Sequence, residues 1–182
     1  HSLKTILEMA EERGLSTGVV STARLTHATP AACYAHTSDR DWEGDKDLPP
    51  GATVPDIARQ LLEFPFGNGL EVALGGGREN FFPVSHPDPE DPGKTGGRKD
   101  GRDLTQEWLD KYPRAAFVWN NIRFTEVNSA TTDHLLGLFE RSHLEFEHDR
   151  PQDTGGEPSL RAMPAQAVAL PRQTKTGLFL LV

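Results

Sequence analysis

Cysteine is almost missing from this chain: Cys33 is the only one in 182 residues. An internal disulfide is therefore excluded, and so is a structural zinc site built from several thiolates. Positive charge is also short, with 19 Lys and Arg against 27 Asp and Glu and a formal net charge of -8. Nonspecific nucleic-acid binding draws its affinity from cations that neutralise phosphates, so no nucleic-acid partner is expected. Any anionic ligand must instead meet a local positive group. Long apolar runs are lacking too; the longest, at 177–182, is far too short to cross a bilayer, and a soluble protein is the expectation. His1 is not an initiator methionine, and no charged and apolar leader precedes the first helix pattern. Residues 177–182 read as a buried strand with no turn or polar tail after it. Truncation of a longer polypeptide is the expectation at both ends, with a terminal strand paired in a sheet as the alternative.

What is present reads as one folded α/β unit. Apolar residues make up 36% against 25% charged, enough for a core in a chain of single-domain length. Leu3, Ile6, Leu7 and Ala10 fall at helical spacing, with Gly14 as a stop. A strand follows at 18–23. A second helix is predicted over 54–63 with Ile57, Leu61 and Leu62 inward, then a turn at 66–69 and a strand at 70–74 ended by Gly75, Gly76 and Gly77. Residues 83–102 are dense in Pro, Gly, Asp and Lys and read as a long surface loop. Helix signals return at 104–111, a strand at 116–118 and an apolar stretch at 135–139, before a second polar loop at 141–157. Residues 159–173 have helical composition, but Pro164 and Pro171 are expected to interrupt it, since each removes a backbone donor and clashes with the preceding turn. The alternation predicts a three-layer α/β/α fold around a mostly parallel sheet, without internal repeats or a linker that would divide it.

Ligands of open α/β sheets bind beyond the C-terminal strand ends, where the segment after the first strand brings Thr26, His27, Thr29, His36, Arg40 and Trp42. A threonine hydroxyl is a hard oxygen ligand suited to magnesium, and an arginine offers a planar fork of donors that matches two phosphate oxygens. On the residues alone, Thr29 before Pro30 also reads as a helix start and Arg40 as a surface charge. Gly75, Gly76 and Gly77 are not a phosphate loop, because no Lys and Ser or Thr follow them. His86, His134, His143 and His148 are widely spaced and read as structural or exposed, and His36 as a packing residue on a helix after Pro30.

The run from Gly18 to Trp42, GVVSTARLTHATPAACYAHTSDRDW, resembles the alkaline phosphatase family. Further matches follow in family order: LGGGR at 74–78, PDPE at 87–90, DGRDL at 100–104, QEWL at 106–109, VWN at 118–120 and HLLGLFE at 134–140. The resemblance spans nearly the whole chain. It implies that residues 1–182 are an internal segment of a single α/β domain. It also implies that Arg40 grips two oxygens of a phosphoryl group, that Thr29 gives its hydroxyl to magnesium, and that His27 sits beside that ion. Glu90, Glu140, Glu157 and the backbone carbonyl of Phe139 match a peripheral calcium site of animal members, although the family usually has Asp where Glu157 stands.

The resemblance implies a complete enzyme that hydrolyses phosphate monoesters through a phosphoserine, with two zinc ions and one magnesium. The serine motif has no match here, since Ser2 and Ser16 lie in other contexts, and the next metal-binding cassette would begin directly after Val182. This segment alone is therefore expected to be inactive. Phosphate monoesters and inorganic phosphate are the implied partners, with a homodimer located outside the cytoplasm, extracellular or periplasmic and in some members membrane-anchored. The alternatives are a catalytically dead anion-binding module, or a sulfatase or phosphodiesterase of the same superfamily.

Overall fold

A computed structural model of the chain describes residues 3–170 and 177–182. Its strands are β1 (Ser16–Arg24), β2 (Val72–Gly76), β3 (Ala115–Val118), β4 (His134–Leu138) and β5 (Leu178–Leu181). They form one sheet in the order β3-β4-β2-β1-β5, with every neighbouring pair parallel. Parallel neighbours cannot be joined by tight hairpins and need crossovers. α1 (Ile6–Glu12) precedes β1, and the helices of those crossovers are α2 (Ala28–Ala31), α3 (Ile57–Leu62), α4 (Leu104–Lys111), α5 (Asn121–Thr125) and α6 (Ala162–Ala169).

Successive strand residues point to opposite faces, and the two cores follow from that alternation. Val19, Ala73 and Leu136 pack with Leu7 of α1, Leu61 of α3 and Trp108 of α4. Val20, Val72, Leu74 and Leu135 pack on the other face with Phe124 of α5 and Met163 and Ala167 of α6. The expected three-layer α/β/α arrangement is therefore present, and its sheet is wholly parallel among the described strands.

Helix starts are set by local hydrogen bonds that satisfy otherwise unpaired N–H groups. Thr5 and Glu8 form a capping box at α1, and Asp103 accepts from Thr105 N and Gln106 N at α4. Asp56 Oδ1 accepts from Arg59 N at 3.0 Å and so begins α3.

Several expectations need correction. α1 buries Leu7 and Ala10, whereas Leu3 and Ile6 are exposed. Gly75 and Gly76 continue β2, and the turn begins only at Gly77, with φ 92°. Pro164 does not break a helix: it is the third residue of α6, in the first turn, where backbone N–H groups have no helical partner to lose. Pro171 lies outside the described residues. β5 is half-buried at the sheet edge beside β1 rather than fully buried. The short helix α5 after Val118 was not foreseen from the sequence.

The 83–102 loop has no regular element, yet it is anchored in the interior. Arg98 is fully buried and donates from both terminal nitrogens to Asp56, at 3.0 and 3.1 Å. Asp56 thus caps α3 and neutralises the loop's guanidinium at once. Asp100 shares the Arg98 guanidinium, so Asp56→Ala removes charged hydrogen bonds and the α3 cap while one carboxylate remains, and should cost the complete protein about 2–4 kcal/mol of stability. Denaturant unfolding would measure this; a loss of about 1 kcal/mol, no more than a missing cap, would refute the buried-pair account.

Candidate functional site

The C-terminal ends of β1, β2 and β4 meet at one edge of the sheet, and the functional side chains lie on the connections that leave it. β1 ends at Arg24, level with Gly76 of β2. The chain then turns, with His27 N donating to Arg24 O at 2.9 Å, and His27 becomes the residue that precedes α2. Thr29 follows in the first turn of α2 with its side chain exposed. Arg40 lies in the next loop, and its Nη2 donates to His27 Nε2 at 3.0 Å. Arg40, His27 and Thr29 are therefore gathered at the strand end where the sequence puts them. His36 is past the end of α2 rather than on it, and its Nε2 lies 2.6 Å from the buried Glu8 Oε1.

The connection after β4 closes over the same edge. Gly77 N donates to the carbonyls of Glu140 and Ser142, at 3.1 and 2.7 Å, and Leu144 N donates to Thr22 O at 2.9 Å. A Cβ on Gly76 would lie 2.0 Å from Ser142 O, so only glycine admits this approach. The loop carries Glu140 on one flank and His143 on the other.

On the Glu140 flank an acidic cluster is assembled. Single carboxylate oxygens of Glu90, Glu140 and Asp153 lie within 4.8 Å of one another. Gly155 lets the backbone come against Glu90, since a Cβ there would lie 2.0 Å from Glu90 Oε1. Asp153 Oδ2 and Glu157 Oε1 are buried without a hydrogen-bond partner. Burial, reinforced by Glu90 and Asp153, pushes the Glu140 carboxyl up to about 8, and burial together with Asp153 and Glu145 pushes Glu157 up to about 7. Buried acceptors that lack donors, surrounded by like charge, are what a hard cation relieves, and oxygen ligands of this kind suit calcium.

Of the residues expected at this site, Glu90 and Glu140 are brought together. Phe139 lies directly before Glu140, with its ring buried in the core. Glu157 stands behind the cluster: its Oε2 accepts from Glu145 N at 3.3 Å, while its charge still acts on Glu140. Asp153 completes the close group and was missed, because the motif match drew attention four residues further on. Arg78 was missed as well. Fully buried, it donates to Asp88 Oδ1 and Glu90 Oε2, each at 2.8 Å, and to Leu138 O at 3.1 Å. On the other flank, Arg24, Glu43 and His143 form a further network that no motif signalled. His134, as expected, is structural: its Nδ1 lies 2.8 Å from Leu70 O and its ring stacks on Tyr112.

These features make the chain an α/β protein that gathers an exposed arginine and a carboxylate cluster at the C-terminal edge of its sheet. Residues 1–182 match the family model described as Alkaline phosphatase. The chain is 40% identical to an alkaline phosphatase of Gadus morhua, over 100% of this chain and 39% of that protein. It is 38% identical to the membrane-bound alkaline phosphatase of Bombyx mori, over 99% of this chain and 34% of that protein. The crystal structure of Thermus thermophilus alkaline phosphatase aligns with a TM-score of 0.73 at 31% identity, over 98% of this chain and 31% of that one. The chain belongs to the alkaline phosphatase family. It spans 39% or less of the length of these curated relatives. No helix among the described residues is long and apolar enough to cross a membrane.

The acidic cluster makes a pH prediction whose sign can be worked out. Glu140 and Glu157 bind protons more tightly folded, at about 8 and about 7, than at the ordinary value of 4.5. The native state then holds extra protons between pH 4.5 and 8, so without a cation stability falls as pH rises through that window and levels off above it. Melting temperatures of the chelated complete protein should be higher at pH 5 than at pH 8, and added calcium should restore the difference at pH 8. A calcium-insensitive melt at pH 8 would contradict the cation reading.

Proposed function

We propose that the complete protein hydrolyses phosphate monoesters by the alkaline phosphatase reaction, with this chain supplying the phosphate-gripping arginine and part of the metal environment. The observation that carries the reading is the contact of Arg40 with His27 at the C-terminal end of β1, on a chain that matches the family from end to end. Arg40 uses its planar fork to hold two phosphoryl oxygens, which suits a guanidinium better than an ammonium. His27 accepts one of its N–H groups and so limits the directions the fork can take. The serine that becomes phosphorylated belongs to the part of the polypeptide outside this chain.

Thr29 is the magnesium ligand in this reading, its hydroxyl exposed at the sheet edge, and His27 stands beside that ion. The ligands of two zinc ions come mostly from outside the chain. When bound, these metals neutralise charge on the attacking and departing oxygens of an in-line displacement. Glu90, Glu140, Glu157 and the Phe139 carbonyl would hold calcium at the acidic cluster; the two partnerless carboxylate oxygens support a cation there, and Asp153 would join the set. The complete protein acts as a homodimer outside the cytoplasm, extracellular or periplasmic, in keeping with a relative described as membrane-bound. The 182-residue segment alone is inactive, because an arginine without the nucleophile can bind phosphate but not transfer it.

The test compares turnover of p-nitrophenyl phosphate with that of a phosphodiester and a sulfate ester by the complete protein. Monoester preference is expected; a dominant sulfate-ester or diester activity, or none, would overturn the assignment. Hydrogen bonds to charged groups contribute about 1.5–3 kcal/mol, so Arg40→Ala should lower kcat/KM roughly 10- to 100-fold. A carboxylate holds the water shell of magnesium more strongly than an imidazole does, so His27→Asp should tighten magnesium binding. A metal titration that leaves the constant unchanged would refute that role for His27.

A further inference from the structure

His143 is an exposed histidine on the connection after β4, and its ring meets that of His27 edge-on, with centroids 5.3 Å apart and planes at 71°. Its own position is set by a single residue. Arg24 Nη1 lies 2.8 Å from His143 Nε2, and Arg24 N lies 3.2 Å from His143 Nδ1. Both ring nitrogens thus face N–H groups. A neutral imidazole carries one acceptor nitrogen and one N–H, so only one of these two contacts is a hydrogen bond accepted by the ring, and a protonated ring would accept neither. Partial burial, followed by the positive charge of Arg24, holds the His143 imidazole below its usual range.

Arg24 is in turn immobilised. It donates to both oxygens of Glu43, from Nε at 2.8 Å and from Nη2 at 2.7 Å. Glu43 also accepts from Thr26 Oγ1, and its backbone carbonyl accepts from Ala58 N in the first turn of α3. Although burial alone would raise the Glu43 carboxyl, the hydrogen bonds from Arg24 and Thr26 outweigh it and pull it below the ordinary range, so it is the charged form that holds Arg24. A continuous line of contacts therefore runs from the start of α3 through Glu43, Arg24, His143 and His27 to Arg40.

Arg40 needs such support. Its side chain is 59% exposed, and its nearest acidic partner, Asp41, is 3.9 Å away. An exposed arginine loses about 2 kcal/mol of rotamer freedom when fixed, and an arginine that grips phosphate works best when that loss has already been taken before the ligand arrives.

We propose that His143, clamped by Arg24, is a positioning residue that fixes the His27 ring and thereby aims the Arg40 guanidinium at the phosphoryl group. This rests on Arg40 being the phosphate ligand of the complete protein. The test is the dissociation constant of inorganic phosphate, measured by calorimetry on the complete, metal-loaded protein. His143→Ala should weaken phosphate about 3- to 10-fold, the scale of one lost orienting contact, with an unchanged melting temperature. His143→Gln, which keeps an acceptor for Arg24, should recover most of the affinity. In a His27→Ala background, His143→Ala should add nothing further.

A merely structural role predicts the opposite, an equal loss whether or not His27 is present, and that result or an unchanged constant would overturn the proposal. A parent protein that neither binds phosphate nor hydrolyses a monoester would bring down the functional reading and this inference together. A parent that does both, with His143→Ala indistinguishable from it, would bring down this inference alone.

Discussion

Arg78 stands fully buried where the chain leaves β2, and burying a guanidinium costs several kcal/mol unless its donors and charge are met. They are met by three residues on two pieces of the fold, the 83–102 loop and β4. Asp88 takes Nε and Nη2 at 3.2 and 2.8 Å, Glu90 takes Nη2, and the carbonyl at the end of β4 takes Nη1. The long 83–102 loop cannot drift from the sheet without stripping this charge of its partners, and Arg98 on Asp56 holds the far end of the loop by the same means. Glu90 is therefore held against the sheet edge, where Glu140 and Asp153 meet it. Asp88 shares the burden, its carboxyl lowered despite burial by the hydrogen bonds and charge of Arg78.

How much of this could be read from the sequence depended on the range of the interactions involved. Strand and helix periods are local, and they located β1, β3, β4, α3 and α4 to within a few residues. The apolar face of α1 was misread at its first turn because Leu3 and Ile6 repeat the right spacing but face solvent among the described residues. Pro164 was misread because its effect depends on where a helix begins, and the side chain that caps α6 belongs to Ser159, whose Oγ accepts from Ala162 N, three residues ahead of the first helical residue. The glycines at 75–77 read as a turn, but two of them are strand residues kept small by the loop that closes over them.

The candidate site divides in the same way. Arg40, His27 and Thr29 were legible because they lie within 14 residues of one another on a motif that the family shares. Asp153 and Glu157 sit on one irregular loop, and only its folded path decides which carboxylate closes on Glu90 and Glu140. The Arg24, Glu43 and His143 network joins positions as many as 119 residues apart, and no spacing rule reaches that far.

The short connection after β4 ties the two halves of the site together. Glu140 and His143 are three residues apart, about 10 Å at full extension, yet one belongs to the acidic cluster and the other meets His27 on the Arg40 side. Between them, the carbonyls of Glu140 and Ser142 both accept from Gly77 N, and the Glu140 carbonyl also accepts from Arg78 N at 3.0 Å. Any displacement of Glu140 that answers a change of charge in the cluster must therefore be absorbed by these bonds or passed along the loop toward His143. Because Arg78 meets Glu90 through its side chain and the Glu140 carbonyl through its backbone N–H, a residue that would absorb such a shift is also the one that holds Glu90 in place.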